Sequence, residues 1–500
     1  MSRALVALAA LLAALVLAAP ASAESGLWDG VPGVQHLHFE TAPIKVKPGQ
    51  NSIDNVVLPA DEKPAVDGYI VRARPDLVYL DGTVPPVDVI HLHHGVWLNV
   101  SGKSPASPAF DVQPIFFGGE EKTIFRIPRG YGYPYKASDT WLLNEMIHNN
   151  TPNAARVRLV WDLDFIPADS ALAATVTPVI PFWMDVRRGW GYPVFDAKQG
   201  SGGADGAFTF PDEAPTTPYP DGNRQNEFTM PYDATIVAAV GHLHPGGLRD
   251  DVSVVRNGAS RLIFRSEAKY YDPAGPVSWD VSLTASRPDW RARVNAGDVL
   301  RISATYDSRT SSWYENMGIV LLFVAPNDPG GPDPFVDVVD PTGELTHGHL
   351  RENDHHGGDQ RVYPDPRKAA SGRVTSKVTI RGFRFLPGDL GTLFDHRPVP
   401  VVPRGRSLTF VNRDNTSYEW HSITTCRAPC NLATGISYPL ANGLAGGGVQ
   451  FDSGQLGFGP EGLSPAANRA TWKTPSNLAR GTYTYFCRIH PFMRGAFRVR

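Results

Sequence analysis

The chain has 500 residues, 48 of them Gly and 45 Pro, and a formal net charge of -3. That length exceeds one ordinary domain and sets a prior of about three. The charge carries no basic signature, which argues against nucleic acid as a partner. Short Val/Ile/Thr/aromatic runs between Pro and Gly turns predict all-β sandwiches.

Residues 1–23 read as an export signal. Arg3 supplies the positive start, Ala4 to Ala19 the apolar stretch, and Ala21-Ser22-Ala23 a small-residue cleavage site. No Cys follows that site, and no later run of 18 or more apolar residues occurs. Neither a lipid anchor nor stable membrane insertion is therefore expected after cleavage, and the expected location is secreted or periplasmic. Residues 24–186 form a first unit, with strand-like runs at Gly68–Arg74, Val87–Val100 and Arg156–Phe165. Residues 187–326 form a second, with Ala234–Leu243, Val252–Arg256, Val299–Tyr306 and Gly318–Val324. Residues 327–372 are rich in Pro, Gly, Asp and His and read as a linker. The β pattern returns over 373–500.

Eleven of the fifteen His lie in tight groups, at 36/38, 91/93/94, 242/244, 347/349 and 355/356. Positions i and i+2 of a strand point to one face. His242 and His244 can therefore grip one ion from the end of a strand, and His91 and His93 share that relation. His93 and His94 point oppositely unless the strand bulges there. Such sites need further ligands. Met317 is the candidate in the second unit, and His148 in the first. His347, His349, His355 and His356 sit in the polar linker and are expected to be solvated. His36 and His38 have strand-like spacing and offer a third metal-loading site.

The densest chemistry lies near the C-terminus, in Tyr-Phe-Cys487-Arg-Ile-His490-Pro-Phe-Met493-Arg-Gly. A thiolate, an imidazole and a thioether, joined by one more His, make the ligand list of a blue-copper electron-transfer site. His421, in Glu-Trp-His-Ser-Ile-Thr-Thr, is placed to be that His. Cys426 and Cys430 would pair as a disulfide in an oxidising compartment. That leaves Cys487 alone, which copper ligation explains.

The stretch closely resembles the copper loop of amicyanin-like cupredoxins, which share its Cys-x2-His-x2-Met spacing and its Pro-Phe-Met-Arg-Gly run. A second resemblance covers about 230 residues of the first two units. They look like the core of the copper type II, ascorbate-dependent monooxygenases, the peptidylglycine α-hydroxylating and dopamine β-monooxygenase family. That family carries one copper on three His, two of them adjacent, and another on a His-x-His pair and a Met. The matching positions are His93, His94 and His148 for the first, and His242, His244 and Met317 for the second. Strand geometry alone favours His91 with His93, so His91 stays open as a ligand.

Together the resemblances imply two tandem antiparallel jelly-roll β-sandwiches followed by a Greek-key cupredoxin sandwich. They imply one type 1 copper and two further mononuclear coppers. The implied activity is hydroxylation of an aliphatic C–H by O2, with His242, His244 and Met317 as the catalytic set and electrons from an external donor. The family's disulfides are absent, because no Cys lies between the signal and residue 425. Where the amidating enzymes hold a substrate carboxylate, this chain has Val240, Ile319 and Leu321. A neutral or hydrophobic small molecule is therefore the expected substrate. The alternative is a non-catalytic copper-binding or electron-carrying protein on the same scaffold. A multicopper oxidase is disfavoured, because Phe486 and Arg488 flank Cys487 where His residues would lead to a trinuclear cluster.

Overall fold

A computed structural model describes residues 27–500 except 88, 107–111, 188–193, 215–223, 271–280, 347–361, 391–397, 415–418, 431–435, 441–448 and 458–468. The signal-like residues 1–23 and the four linker histidines thus lie outside the described residues. Strands and three-residue 3-10 turns make up the regular structure, with no α-helix among the described residues. None of the described residues forms a helix long and apolar enough to cross a membrane.

The first unit pairs a seven-stranded with a four-stranded sheet. The seven-stranded sheet runs Gln35–Glu40, Ala155–Pro167, Gly68–Tyr79, Tyr131–Tyr135, Thr177–Pro178 along its main path. The four-stranded sheet runs Ile53–Val57, Trp141–Asn149, Ile90–Asn99, Gln113–Gly119. Trp97, Trp141, Trp161 and Phe116 fill the space between them, all at most 1 % exposed.

The second unit is built on an eleven-stranded sheet. Its adjacent strands Ile180–Asp185, Gly318–Pro326 and Ala234–Leu243 are buried on both faces. Alternation explains how. Ile236, Ala239, Val320, Leu322 and Val324 enter that unit's own core, while Val237, Val240, Ile319, Leu321 and Phe323 join the core of the first unit. The two cores therefore meet across these strands, and near-continuous apolar runs are what burial on both faces requires. Met317 and His242 lie on the face turned toward the first unit, with His242 opposite Ile319. Gly318 is the close-approach point, because a Cβ there would lie 2.3 Å from Ala304 Cβ. Gly318→Ala should therefore destabilise the fold by about 1–3 kcal/mol, the usual cost of overpacking, read as a lower urea midpoint at unchanged slope.

Two sequence divisions need correction. The strand Ile180–Asp185 fell in the first unit, but it pairs along its whole length with Gly318–Pro326. The linker is also partly built in: Glu344–Thr346 pairs with Val281–Ala285, and Asp333 bonds Arg256 at 2.9 Å. Pairing and charge, not composition, decide both cases.

The C-terminal unit has a five-stranded sheet, Ser371–Val374, Val399–Val402, Arg494–Val499, Gly481–Phe486, Thr424–Cys426. A four-stranded sheet, Phe385–Leu386, Lys377–Ile380, Thr409–Asn412, Thr471–Lys473, faces it across Phe385, Phe410, Tyr485 and Phe497. Cys426 and Cys430 are disulfide-bonded with Cα atoms 5.4 Å apart.

Candidate metal centres

Cys487 directly follows the strand Gly481–Phe486, and Arg494 begins the strand that returns beside it. The loop between is closed from inside. Cys487 N–H donates to the Met493 carbonyl at 3.1 Å, and Met493 N–H to that of His490 at 2.8 Å. Opposite, His421 is held by a reciprocal backbone pair with Leu456. Cys487 Sγ lies 3.9 Å from His421 Nδ1 and 3.7 Å from His490 Nδ1, and the two nitrogens are 3.2 Å apart. A point equidistant from all three is about 2.1 Å from each, a metal-bond distance. Met493 is fully buried in the same cluster. The Ser422 and His490 N–H groups donate to the sulfur at 3.2 and 3.4 Å. Asp414 accepts from His421 Nε2 at 3.1 Å, which turns Nδ1 inward. Burial would push the Cys487 thiol up, but His421 and His490 outweigh it and hold the thiol well below its ordinary value. A ready thiolate beside two imidazoles suits a soft metal.

Six further histidines, His91, His93, His94, His148, His242 and His244, converge where the first two units meet. His91, His93 and His148 are buried and can bring one ring nitrogen each within 4.8 Å of one another. The strand Ile90–Asn99 has an irregularity between Leu92 and His94 against its neighbour, the expected bulge position. The bulge does not bring His94 to the others' side. His94 lines a separate cavity with His242 and Met317. His244 instead lines a cavity with His93 and His148, its ring 4.1 Å from that of His93. The His242 and His244 rings stay 5.2 Å apart, edge to face. The two groups expected from sequence are thus neighbours, joined through the contact of His93 with His244.

A common device orients these rings. Nδ1 donates outward to a fixed acceptor, so that Nε2 faces in, as the hydrogen-bond network assigns the tautomers. His91 donates to the Val87 carbonyl at 2.7 Å, and His93 to Glu120 at 2.6 Å. His242 donates to Glu121 at 3.0 Å, and His244 to the Glu315 carbonyl at 2.8 Å. The Nε2 atoms of His148, His242 and His244 are buried without a hydrogen-bond partner among the described residues. Buried acceptor nitrogens are costly unless something occupies them, and a metal ion is the occupant their chemistry fits. Burial and neighbouring imidazoles hold His93, His148 and His244 well below their ordinary range, and His94 is pushed down to about 3. Neutral rings are the form that ligates.

Glu120 and Glu121 were not anticipated from sequence. The signal was a pair of acidic residues directly after the apolar strand Gln113–Gly119, where charges are hard to bury without partners. Each serves a different group, and Glu121 reaches His242 across the boundary between units. Glu121→Gln should weaken metal binding at His242 by ~10–100-fold, the usual effect of removing such a partner, as read by competitive copper titration.

The cavity at His94, His242 and Met317 has a volume of about 240 Å³, and Phe117, Leu142, Trp183 and Ile319 make its walls apolar. Val240 and Leu321, expected beside it, lie in the core instead. His36 and His38 are arranged separately, and His36 groups with Asp29 and Asp164 as donors that could hold an ion. Each faces its own cross-strand carboxylate, Asp164 and Asp162, at 2.7 Å.

No protein-family model matches the chain, and no curated protein does. Among solved structures it is similar to an amicyanin variant in the reduced state, at 20% identity over 28% of this chain and 92% of that one, TM-score 0.14. It is similar to a copper-containing nitrite reductase from Thermus scotoductus SA-01 at 14% identity and TM-score 0.16, covering 53% of this chain and 55% of that one. A third similarity is to PNGF-II, at 11% identity over 63% of this chain and 66% of that one, TM-score 0.28. The strand pairing above, and not these similarities, carries the all-β assignment.

Proposed function

We propose that the chain is an exported copper oxidoreductase, a monooxygenase that hydroxylates an aliphatic C–H of a neutral, hydrophobic small molecule with O2. The observation that carries this reading is the apolar cavity with His242 and Met317 in its wall, on the same cluster of buried imidazoles that the C-terminal unit covers. Copper bound at these donors would supply one-electron redox chemistry and the activation of dioxygen. His421, Cys487, His490 and Met493 would hold a cupredoxin-type copper whose closed ligand set passes electrons without binding substrate. His91, His93 and His148 would hold a second copper, with Glu120 fixing the ring of His93. His242 and Met317 would hold a third, with His244 or His94 beside them. Phe117, Trp183 and Ile319 would hold the substrate and keep water away. An external one-electron donor would refill the system.

The test is a substrate screen under 18O2 with mass spectrometry of the products, in which labelled product supports the reading. The second reading is a copper-binding electron carrier without turnover. The contact of His93 with His244 favours it, since nothing the size of a substrate fits between them. Absence of labelled product across a broad screen, with copper bound, would select it.

Stoichiometry is a separate expectation: one blue and two non-blue coppers per chain. His242→Ala should lose or weaken one non-blue copper by EPR and metal analysis and leave the blue signal intact. A chain that never binds more than one copper would remove both histidine sites.

A further inference from the structure

The residue after the blue-site thiol leaves its own unit. Arg488 is 3 % exposed. Its backbone N–H donates to Ser422 Oγ at 2.7 Å. Its Nη2 donates to Asp452 of the C-terminal unit at 3.0 Å and to the Ser312 carbonyl of the second unit at 3.0 Å. The guanidinium carbon lies 4.5 Å from the Trp313 ring centroid. Asp452 in turn accepts from Ser312 N–H at 3.2 Å, so both backbone groups of Ser312 are bonded to the C-terminal unit. Thr310 Oγ1 donates to the Pro439 carbonyl at 3.2 Å, and Arg469 donates to Tyr314 Oη at 3.3 Å. Gly454 is packed so closely on Tyr314 that a Cβ would lie 2.1 Å from its ring. Residues 310–314 directly precede Glu315, whose carbonyl holds His244. A short route thus runs from Cys487 through Arg488 and Ser312 to His244. A flat guanidinium can stack on Trp313 and bond Asp452 and Ser312 at once; an ammonium cannot do both.

We propose that residues 310–314 are a permanent dock for the C-terminal unit, and that Arg488 is the positioning residue that sets electron transfer from the blue site to the histidine cluster. The transfer half rests on the copper reading above; the docking half does not. In the transfer one electron leaves the reduced blue site, which is oxidised, and reduces the histidine centre by one. No bond forms or breaks, and a one-electron reductant such as ascorbate restores the blue site.

Two measurements on the full chain test this. In the copper-free protein, Arg488→Lys and Trp313→Leu should speed hydrogen exchange over residues 310–316 and 450–456 by about tenfold or more. Wild-type exchange rates in both variants would overturn the dock. In the copper-loaded protein, mixed with ascorbate and followed by freeze-quench EPR, both variants should slow reduction of the non-blue copper by at least about tenfold, with the blue absorbance unchanged. Equal rates in variant and wild type would overturn the role of Arg488. If Arg488→Lys disturbs the blue site, Trp313→Leu on the far side of the contact carries the kinetic arm. A chain with no blue centre at all would fail the copper reading while leaving the exchange arm to decide the dock.

Discussion

Replacing Cys487 by serine should abolish the intense visible colour of the copper-loaded, oxidised protein and leave its non-blue copper in place. The sulfur has no substitute here. It is fully buried, it is the one described Cys outside the disulfide, and two imidazole nitrogens lie within 3.9 Å of it. A serine oxygen would present a hard donor that suits copper(I) poorly and gives no thiolate-to-copper charge transfer. The other donors lie on a separate set of strands, so their copper should survive the change. Absorption spectra and EPR of matched, metal-saturated samples read the result. A colourless wild-type protein under those conditions would overturn the blue-copper assignment.

Met317→Ala should have the largest effect on turnover. Met317 is 4 % exposed and sits at the head of the strand Gly318–Pro326, in the wall of the apolar cavity with His242. Tyr306 Oη donates to its carbonyl at 2.6 Å and accepts His244 N–H at 3.0 Å, which fixes the backbone around both. Loss of the thioether removes the only soft donor among the described residues that line the cavity. Copper affinity there should fall at least as far as the ~10–100-fold seen when a ligand's outer partner is removed, and labelled product under 18O2 should disappear. His148→Ala should also stop turnover, but with the copper beside Met317 retained. Equal product from wild type and Met317→Ala would refute the catalytic assignment outright.

The all-β class was legible because alternation and turn residues are local signals, and strands such as Ala234–Leu243 stand where the pattern put them. The blue-site residues were legible for a related reason: three of the four fall within seven positions, so a single loop brings them together. The histidine groups were harder. Strand periodicity put His91 and His93 on one side, and the described cluster of His91, His93 and His148 follows that local rule. Family spacing pointed to His93 with His94, yet His94 faces the other cavity. Three features depended on contacts more than a hundred residues apart in the chain. They are the Glu121 bond to His242, the stacking of Arg488 on Trp313 and the pairing of Ile180–Asp185 with Gly318–Pro326. No window of sequence contains both partners of any of them.

The bond from Glu121 to His242 also ties metal supply to assembly. Its carboxylate belongs to the first sandwich and its imidazole to the second. A site completed from both sides binds its ion well only when the two sandwiches are joined. By mass action, an ion present at a hundred times its dissociation constant then favours the joined form by about 2.7 kcal/mol. The apparent melting temperature should accordingly rise with free copper concentration. Copper availability would then add to the apolar packing that already holds the two halves together.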